Sequence, residues 1–354
     1  MKKLPVLSMI LLGTAYVLTG LLTFHPSPSS AAPGPAPSSI MLNATGATFP
    51  YPIYSKWFSD YNKMHPDIEI NYQSLGSGAG IRQLLSGTVD FGASDAPMTD
   101  EQLGQAKTKI LHFPTVLGAV VPTYYIPGVS QELNFTPDAL VGIYLGKITK
   151  WNDPEIAKYN NGVSLPGTDI VVVHRSEGSG TTYVWVDYLS KVSAEWQSKV
   201  GRNTSVNWPV GLGGKGNEEV TGLVKQTPGS IGYVELIYAI QNHIPYGRVR
   251  NSAGVFVKAD LASVTAAAAA FAKSMPEDFR ISITNAPGKA VYPISSFTYL
   301  LIPTRIEDAN KKQVIKNFLT WMLNDGQKDA EPLSYARLPK EVVARELKQI
   351  SQIQ

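Results

Sequence analysis

The sequence predicts an α/β protein folded into two lobes, and three observations carry that expectation. Small-residue turns recur where an apolar, strand-like run meets an amphipathic helix. The clearest is His174-Arg175-Ser176-Glu177-Gly178-Ser179-Gly180-Thr181-Thr182, which follows Ile170-Val171-Val172-Val173. Behind it Thr181, Val184, Trp185, Tyr188 and Leu189 fall on one helical face. Second, a chain of 354 residues exceeds the usual span of one hydrophobic core. Third, two apolar runs, 116–125 and 297–302, stand far apart and suit strands that carry the chain from one lobe to the other and back.

Taken in order, the chain opens on Lys2-Lys3, an uncharged stretch over 4–24 and Ser29-Ser30-Ala31-Ala32. This is the pattern of a signal peptide over 1–31, with cleavage after Ala31 or Ala32. The apolar stretch is also long enough to cross a bilayer, so an uncleaved anchor is the alternative. Residues 32–42, which begin rich in Pro, Ala and Ser, read as a flexible linker. Thr45-Gly46-Ala47-Thr48-Phe49-Pro50 then precedes a helix with Tyr54, Trp57, Phe58 and Tyr61 on one face. Ile68, Ile70 and Tyr72 alternate as a half-buried strand, which runs into Gly76-Ser77-Gly78-Ala79-Gly80 and a helix bearing Ile81, Leu84 and Leu85. Residues 89–97 read as a short strand ending in a polar turn at Asp95, with a helix over 99–107 behind it. Thr136-Pro137 supplies an N-cap and first-turn proline for a helix through Leu145. Val314, Ile315, Phe318, Leu319, Met322 and Leu323 trace a late amphipathic helix with Gly326 as its expected C-cap, and the last helix starts near Pro339.

Composition narrows the chemistry. A net charge of +3 with no basic run speaks against nucleic acid as a partner. The absence of cysteine removes disulfides, thiolate catalysis and cysteine metal sites. No His-x-x-x-His pair or clustered carboxylates point to a metal. What recurs is a glycine turn with hydroxyls at a helix start, and such a start presents unpaired N–H groups and a positive dipole end to an anion. Arg175 adds a guanidinium to one of the three. The same Ser and Thr residues also serve as ordinary N-caps, so one turn alone decides nothing. Asp95 is the odd member, because a carboxylate repels an anion unless that anion carries a proton to donate, as hydrogen phosphate does.

Ala47-Thr48-Phe49-Pro50, Gly76-Ser77, Val89-Asp90-Phe91-Gly92-Ala93-Ser94-Asp95 and Arg175 through Thr181 resemble the phosphate-binding proteins of the high-affinity bacterial phosphate ABC importers. Gly211-Leu212-Gly213-Gly214-Lys215-Gly216-Asn217 and Gly229-Ser230-Ile231-Gly232-Tyr233-Val234-Glu235 follow the same pattern, and the likeness runs over about residues 45–339. The resemblance implies a two-lobed periplasmic-binding-protein fold of type II, each lobe a mixed sheet flanked by helices with a hinge between. Lobe I would comprise 43–118 with 290–354, and lobe II 119–289. It further implies a phosphate site in the cleft made by Ala47, Thr48, Phe49, Ser77, Asp95, Arg175, Ser179, Gly180 and Thr181. In it Ser77 would cap its helix and donate, Asp95 would accept the phosphate proton and Arg175 would carry the charge. The expected partners are inorganic phosphate and a permease–ATPase complex in the inner membrane, with no cofactor, no metal and a monomeric, periplasmic protein. The family usually places an aspartate two residues after the arginine; here Glu177 is one methylene longer, and its pairing with Arg175 is left open.

Competing motifs are weaker. Gly211-Leu212-Gly213-Gly214-Lys215-Gly216 fits the dinucleotide fingerprint but follows Asn207-Trp208-Pro209 rather than a long strand, so a loop lining the cleft is expected. Gly92-Ala93-Ser94-Asp95-Ala96 approaches a nucleophile elbow, which would make Ser94, or else Ser179, the nucleophile of a phosphoryl-handling hydrolase. None of His65, His112, His174 and His243 stands in a recognisable triad context. A receptor for another oxyanion, sulfate or molybdate, is the milder alternative, and Asp95 argues against sulfate.

Overall fold

The computed structural model describes residues 39–271 and 274–354. The expected signal peptide and the linker up to residue 38 lie outside the described residues. The strands are β1 (Ile40–Gly46), β2 (Ile68–Ser74), β3 (Phe91–Ser94), β4 (Ile110–Tyr125), β5 (Asn134–Phe135) and β6 (Val171–Arg175). They continue with β7 (Leu212–Gly214), β8 (Ser230–Glu235), β9 (Arg248–Arg250), β10 (Phe256–Val257) and β11 (Ser295–Pro303). The helices are α1 (Tyr51–Met64), α2 (Ser77–Ser86), α3 (Asp100–Gly104), α4 (Pro137–Tyr144), α5 (Pro154–Ala157) and α6 (Gly180–Val192). After them come α7 (Ala194–Lys199), α8 (Gly216–Gln226), α9 (Leu236–Gln241), α10 (Leu261–Phe271), α11 (Ala309–Leu323) and α12 (Lys340–Gln349).

Eight strands form one mixed sheet in the order β2-β1-β3-β11-β4-β8-β6-β7. β1 runs parallel to β2 and β3, while β11 is antiparallel to both β3 and β4. On the other side β8 is antiparallel to β4, and β6 lies parallel to β8 and β7. β4 is therefore shared: its residues through Ala119 pair with β11, and Val120 to Tyr125 pair with β8. The long apolar run of the sequence is this strand, buried along its whole length except at Tyr125. A small sheet, β10-β9-β5, lies apart from the main one.

The local expectations are met where periodicity is strong. α1 buries Ile53, Tyr54, Trp57, Phe58 and Tyr61, and α6 buries Val184, Trp185, Tyr188 and Leu189. Three segments depart from the reading. Ile40, Met41 and Leu42 belong to β1 rather than the linker, because their backbone pairs in register with Ile68, Glu69 and Ile70. Gly326 does not cap α11. Asn324 closes it with its N–H on the Thr320 and Trp321 carbonyls, and Gly326 opens a 3-10 turn whose carbonyl takes the Trp57 indole N–H at 2.8 Å. The helix expected over 99–107 is shorter, ending at Gly104 after a capping box between Thr99 and Gln102.

Candidate anion-binding site

The turns at the ends of β1, β3 and β6 meet the N-termini of α2, α6 and α8, and their side chains interlock. Ser179 is the N-cap of α6: its Oγ accepts from the Thr182 N–H at 3.0 Å, so its own hydrogen is free to donate elsewhere. Gly180 and Thr181 open the helix, where the first N–H groups have no intrahelical partner. Gly180 is required for close approach, since a Cβ there would come within 2.4 Å of Asp95 Oδ2 and Ser77 Oγ. The 13-residue helix α6 and the 10-residue helix α2 both bring a positive dipole end to this point.

Ser77 does not cap α2, contrary to the sequence expectation. Gly76, at φ 92°, is the N-cap and supplies a backbone turn that other residues rarely adopt. Ser77 is thereby placed inside the first turn, and its hydroxyl accepts from the Asp95 N–H at 3.2 Å. The two sides of the cleft touch here: the Gly78 N–H donates to the Gly178 carbonyl at 2.8 Å.

Arg175, 3% exposed at the end of β6, is held on three sides. Its Nε donates to Glu177 Oε1 at 2.9 Å, its Nη2 bonds the same oxygen, and its Nη1 donates to Thr181 Oγ1 at 3.2 Å. Glu177 thus pairs with Arg175 despite the extra methylene, and Oε1 also accepts the Gly216 N–H at 3.1 Å. A guanidinium has five N–H donors, so the remainder stay available for a ligand.

Asp95 is 1% exposed. Its Oδ1 accepts from Thr298 Oγ1 at 2.7 Å, whereas its Oδ2 is buried with no protein partner among the described residues. Burial pushes its pKa up to about 7, against the opposing pull of Thr298, Arg175 and Ser77. Burial also holds the carboxyl of nearby Glu235 well above the ordinary carboxylate range, against the backbone N–H groups it accepts from. Thr48 and Phe49 are anchored through their carbonyls, which accept from Tyr238 at 2.6 Å and Tyr335 at 2.6 Å. Ala47 shapes the loop, donating its N–H to the Ala93 carbonyl and accepting from the Tyr72 hydroxyl.

Asn217 escaped the sequence reading as a site residue. It lies in the second position of α8, fully buried, and ties Thr48 to Thr181. The segment expected as a loop is β7 followed by the start of α8, so it provides a further helix N-terminus at the cleft. Thr298, Tyr238 and Tyr335 were also missed; each reaches the site from a distant part of the chain. By contrast Ser94 is spent on Ala96, donating to its carbonyl and accepting its N–H. His112 Nε2 accepts the Met98 N–H, and His174 stacks on Trp208 with its Nδ1 beside the Arg175 carbonyl. Among the described residues neither imidazole hydrogen-bonds Ser94 or Ser179, so no nucleophile–base pair is assembled there.

A mixed sheet with helix N-termini gathered at strand ends defines a two-sided binding fold, and the family comparisons agree. The family model described as a PBP superfamily domain matches residues 30–326. The phosphate-binding protein PstS of Xylella fastidiosa (strain Temecula1) is 45% identical over 306 residues, covering 86% of this chain and 83% of its own length. The PstS of Methanocaldococcus jannaschii is 39% identical over 341 residues, covering 90% and 87%. Among solved structures, a high-affinity periplasmic phosphate-binding protein bound with phosphate superposes with a TM-score of 0.67 at 23% identity, over 86% of this chain and 92% of that one. A phosphate ABC transporter substrate-binding protein from Clostridium perfringens gives a TM-score of 0.62 at 19% identity, over 84% and 100%. The chain belongs to the PBP superfamily and, within it, to the PstS family.

Proposed function

We propose that this chain is an exported solute-binding protein that captures inorganic phosphate in the cleft and delivers it to an ABC-type import permease and its ATPase in the inner membrane. One observation carries the reading: where the N-termini of α2 and α6 meet, Asp95 turns a buried oxygen with no partner among the described residues toward Ser77 and Gly180. An anion that fits must accept from nearly every side and donate once, which is what hydrogen phosphate does. The binding set is Ala47, Thr48, Phe49, Ser77, Asp95, Arg175, Ser179, Gly180 and Thr181, with the first-turn N–H groups of α2 and α6 beside the hydroxyls. The names of the PstS relatives support phosphate as the ligand. No turnover is proposed, since neither Ser94 nor Ser179 has a base in place.

Delivery follows from release, and release requires the cleft to open. Lobe I, 43–118 with 290–354, and lobe II, 119–289, would rotate about the β4 junction near Ala119 and the return segment before Ser295. A periplasmic, monomeric receptor is consistent with this. Among the described residues no helix is long and apolar enough to cross a membrane. The test is a titration of purified protein with inorganic phosphate, followed by small-angle scattering with and without it. One-to-one binding with a smaller radius of gyration is expected; no binding removes the reading, and binding at constant radius removes the hinge.

A further inference from the structure

Asn217 occupies a place in the cleft that settles the direction of two hydrogen bonds it does not itself make. Its Oδ1 accepts the Glu235 backbone N–H at 2.9 Å. A backbone N–H can only donate, so the amide cannot be turned over, and Nδ2 must face the other way. There it donates to Thr48 Oγ1 at 2.7 Å and to Thr181 Oγ1 at 3.1 Å. The Asn217 backbone N–H also donates to Thr48 Oγ1, at 3.2 Å. Thr48 Oγ1 therefore receives two donors, which fill both lone pairs of a hydroxyl. Thr181 Oγ1 likewise receives two, from Asn217 Nδ2 and Arg175 Nη1. Each hydroxyl keeps one hydrogen and no free lone pair.

We infer that Asn217 is a positioning residue that fixes Thr48 and Thr181 as obligate donors, so that accepting a ligand proton falls to a carboxylate, Asp95, and not to the hydroxyls. The inference rests on the phosphate reading above. A threonine hydroxyl left to itself can accept as well as donate, and would tolerate an anion or a neutral molecule carrying extra protons. With both lone pairs occupied it rejects such ligands, because a second proton would meet only other hydrogens. Asn217 thereby builds selectivity for a singly protonated tetrahedral anion without touching it. Its burial and its three partners on both sides of the cleft also hold the hydroxyls at fixed positions before a ligand arrives.

The test is a double-mutant cycle read by phosphate titration. Asn217→Ala should weaken phosphate binding roughly 10- to 100-fold in the wild-type background, the range for a lost charge-assisted bond. In a Thr48→Val background the same substitution should cost only about 3- to 10-fold, since half of the hydroxyl pair it orients is gone. A merely structural Asn217 would give the full loss in both backgrounds, and that additivity would overturn the inference while leaving phosphate binding intact. Asn217→Asp guards against misfolding: it keeps the Glu235 bond but offers the threonines an acceptor. Their hydrogens then turn inward, and binding should fall at least as far as in Asn217→Ala. An Asn217→Asp protein that binds like the wild type would also overturn it. Failure of the wild-type protein to bind phosphate would instead condemn the functional reading on which the inference stands.

Discussion

Asp187, in the middle of α6, and Asp95, against its N-terminus, are both buried, and they are treated in opposite ways. Asp187 is fully matched: Arg202 and Lys191 reach it as cations, and Ser282 and Thr284 donate hydroxyls. Burial by itself would raise its pKa, but these partners outweigh burial and hold it below the ordinary carboxylate range. Asp95 has one hydroxyl partner, a shared guanidinium at longer range and an oxygen with none. Burial wins there and carries it up to about 7. A matched carboxylate ties a loop to a helix; an unmatched one is held at a cost and waits for a ligand.

The largest expected effect breaks the comparison at the ligand. Sulfate near neutral pH has no proton for Asp95, so it should bind at least about a thousandfold more weakly than phosphate, a gap of roughly 4 kcal/mol. Competition titrations check this. Asp95→Asn should narrow the gap chiefly by admitting sulfate, and an unchanged ratio would reduce the site to a generic oxyanion trap. Acidification below about pH 7 should act in the same direction on the wild type, because protonated Asp95 becomes a donor.

Stability without ligand should separate the two aspartates next. The Asp95 pKa rises from 3.8 to about 7 on folding, so its contribution to stability is fully present below the unfolded value and lost as pH rises through about 7. Asp95→Asn should accordingly stabilise the free protein at pH 8, by up to about 4 kcal/mol for a shift of that size, and by nothing near pH 4. Asp187, lowered on folding, has the opposite sign: its contribution is present above the ordinary carboxylate pKa and lost on acidification. Asp187→Ala should cost about 3 kcal/mol at neutral pH, the low end for breaking a buried pair because Lys191 and Arg202 can return to solvent. Denaturant melts at pH 8 would show Asp95→Asn stabilised and Asp187→Ala destabilised, and shifts of the same sign would erase the distinction.

The smallest effect concerns charge. Arg175→Ala should weaken phosphate binding by roughly 1.5–3 kcal/mol, the usual range for hydrogen bonds to charged groups. Glu177 already neutralises much of the guanidinium, which keeps the loss within that range. An unchanged dissociation constant would remove Arg175 from the site.

Much of this arrangement was legible because its signals are local. The run from Ile170 to Leu189 contains a strand, a turn and a helix face within twenty or so positions, and period and glycine content betray each in turn. Asp95 could be singled out by chemical contradiction alone. Asn217 was not legible, because its work is done across 169 and 36 residues of separation, and no spacing rule connects it to Thr48 or Thr181. Thr298 reaches Asp95 across 203 residues and was hidden for the same reason. The expected capping role of Ser77 failed on backbone geometry: Gly76 takes up the left-handed turn and moves the cap one residue earlier. Side-chain length left Glu177 open, since whether one methylene can be absorbed depends on where Gly216 stands.

β4 has a further consequence for how the molecule comes apart. One unbroken strand carries ladder bonds to β11 along one stretch and to β8 along the next. Neither half of the sheet can be unzipped without baring an edge of the other. Amides along β4 from Leu111 to Val121 should therefore exchange with solvent only through whole-molecule opening, and melting should proceed as a single step. A protein proposed to close as two lobes is, by virtue of that strand, one cooperative unit when it unfolds.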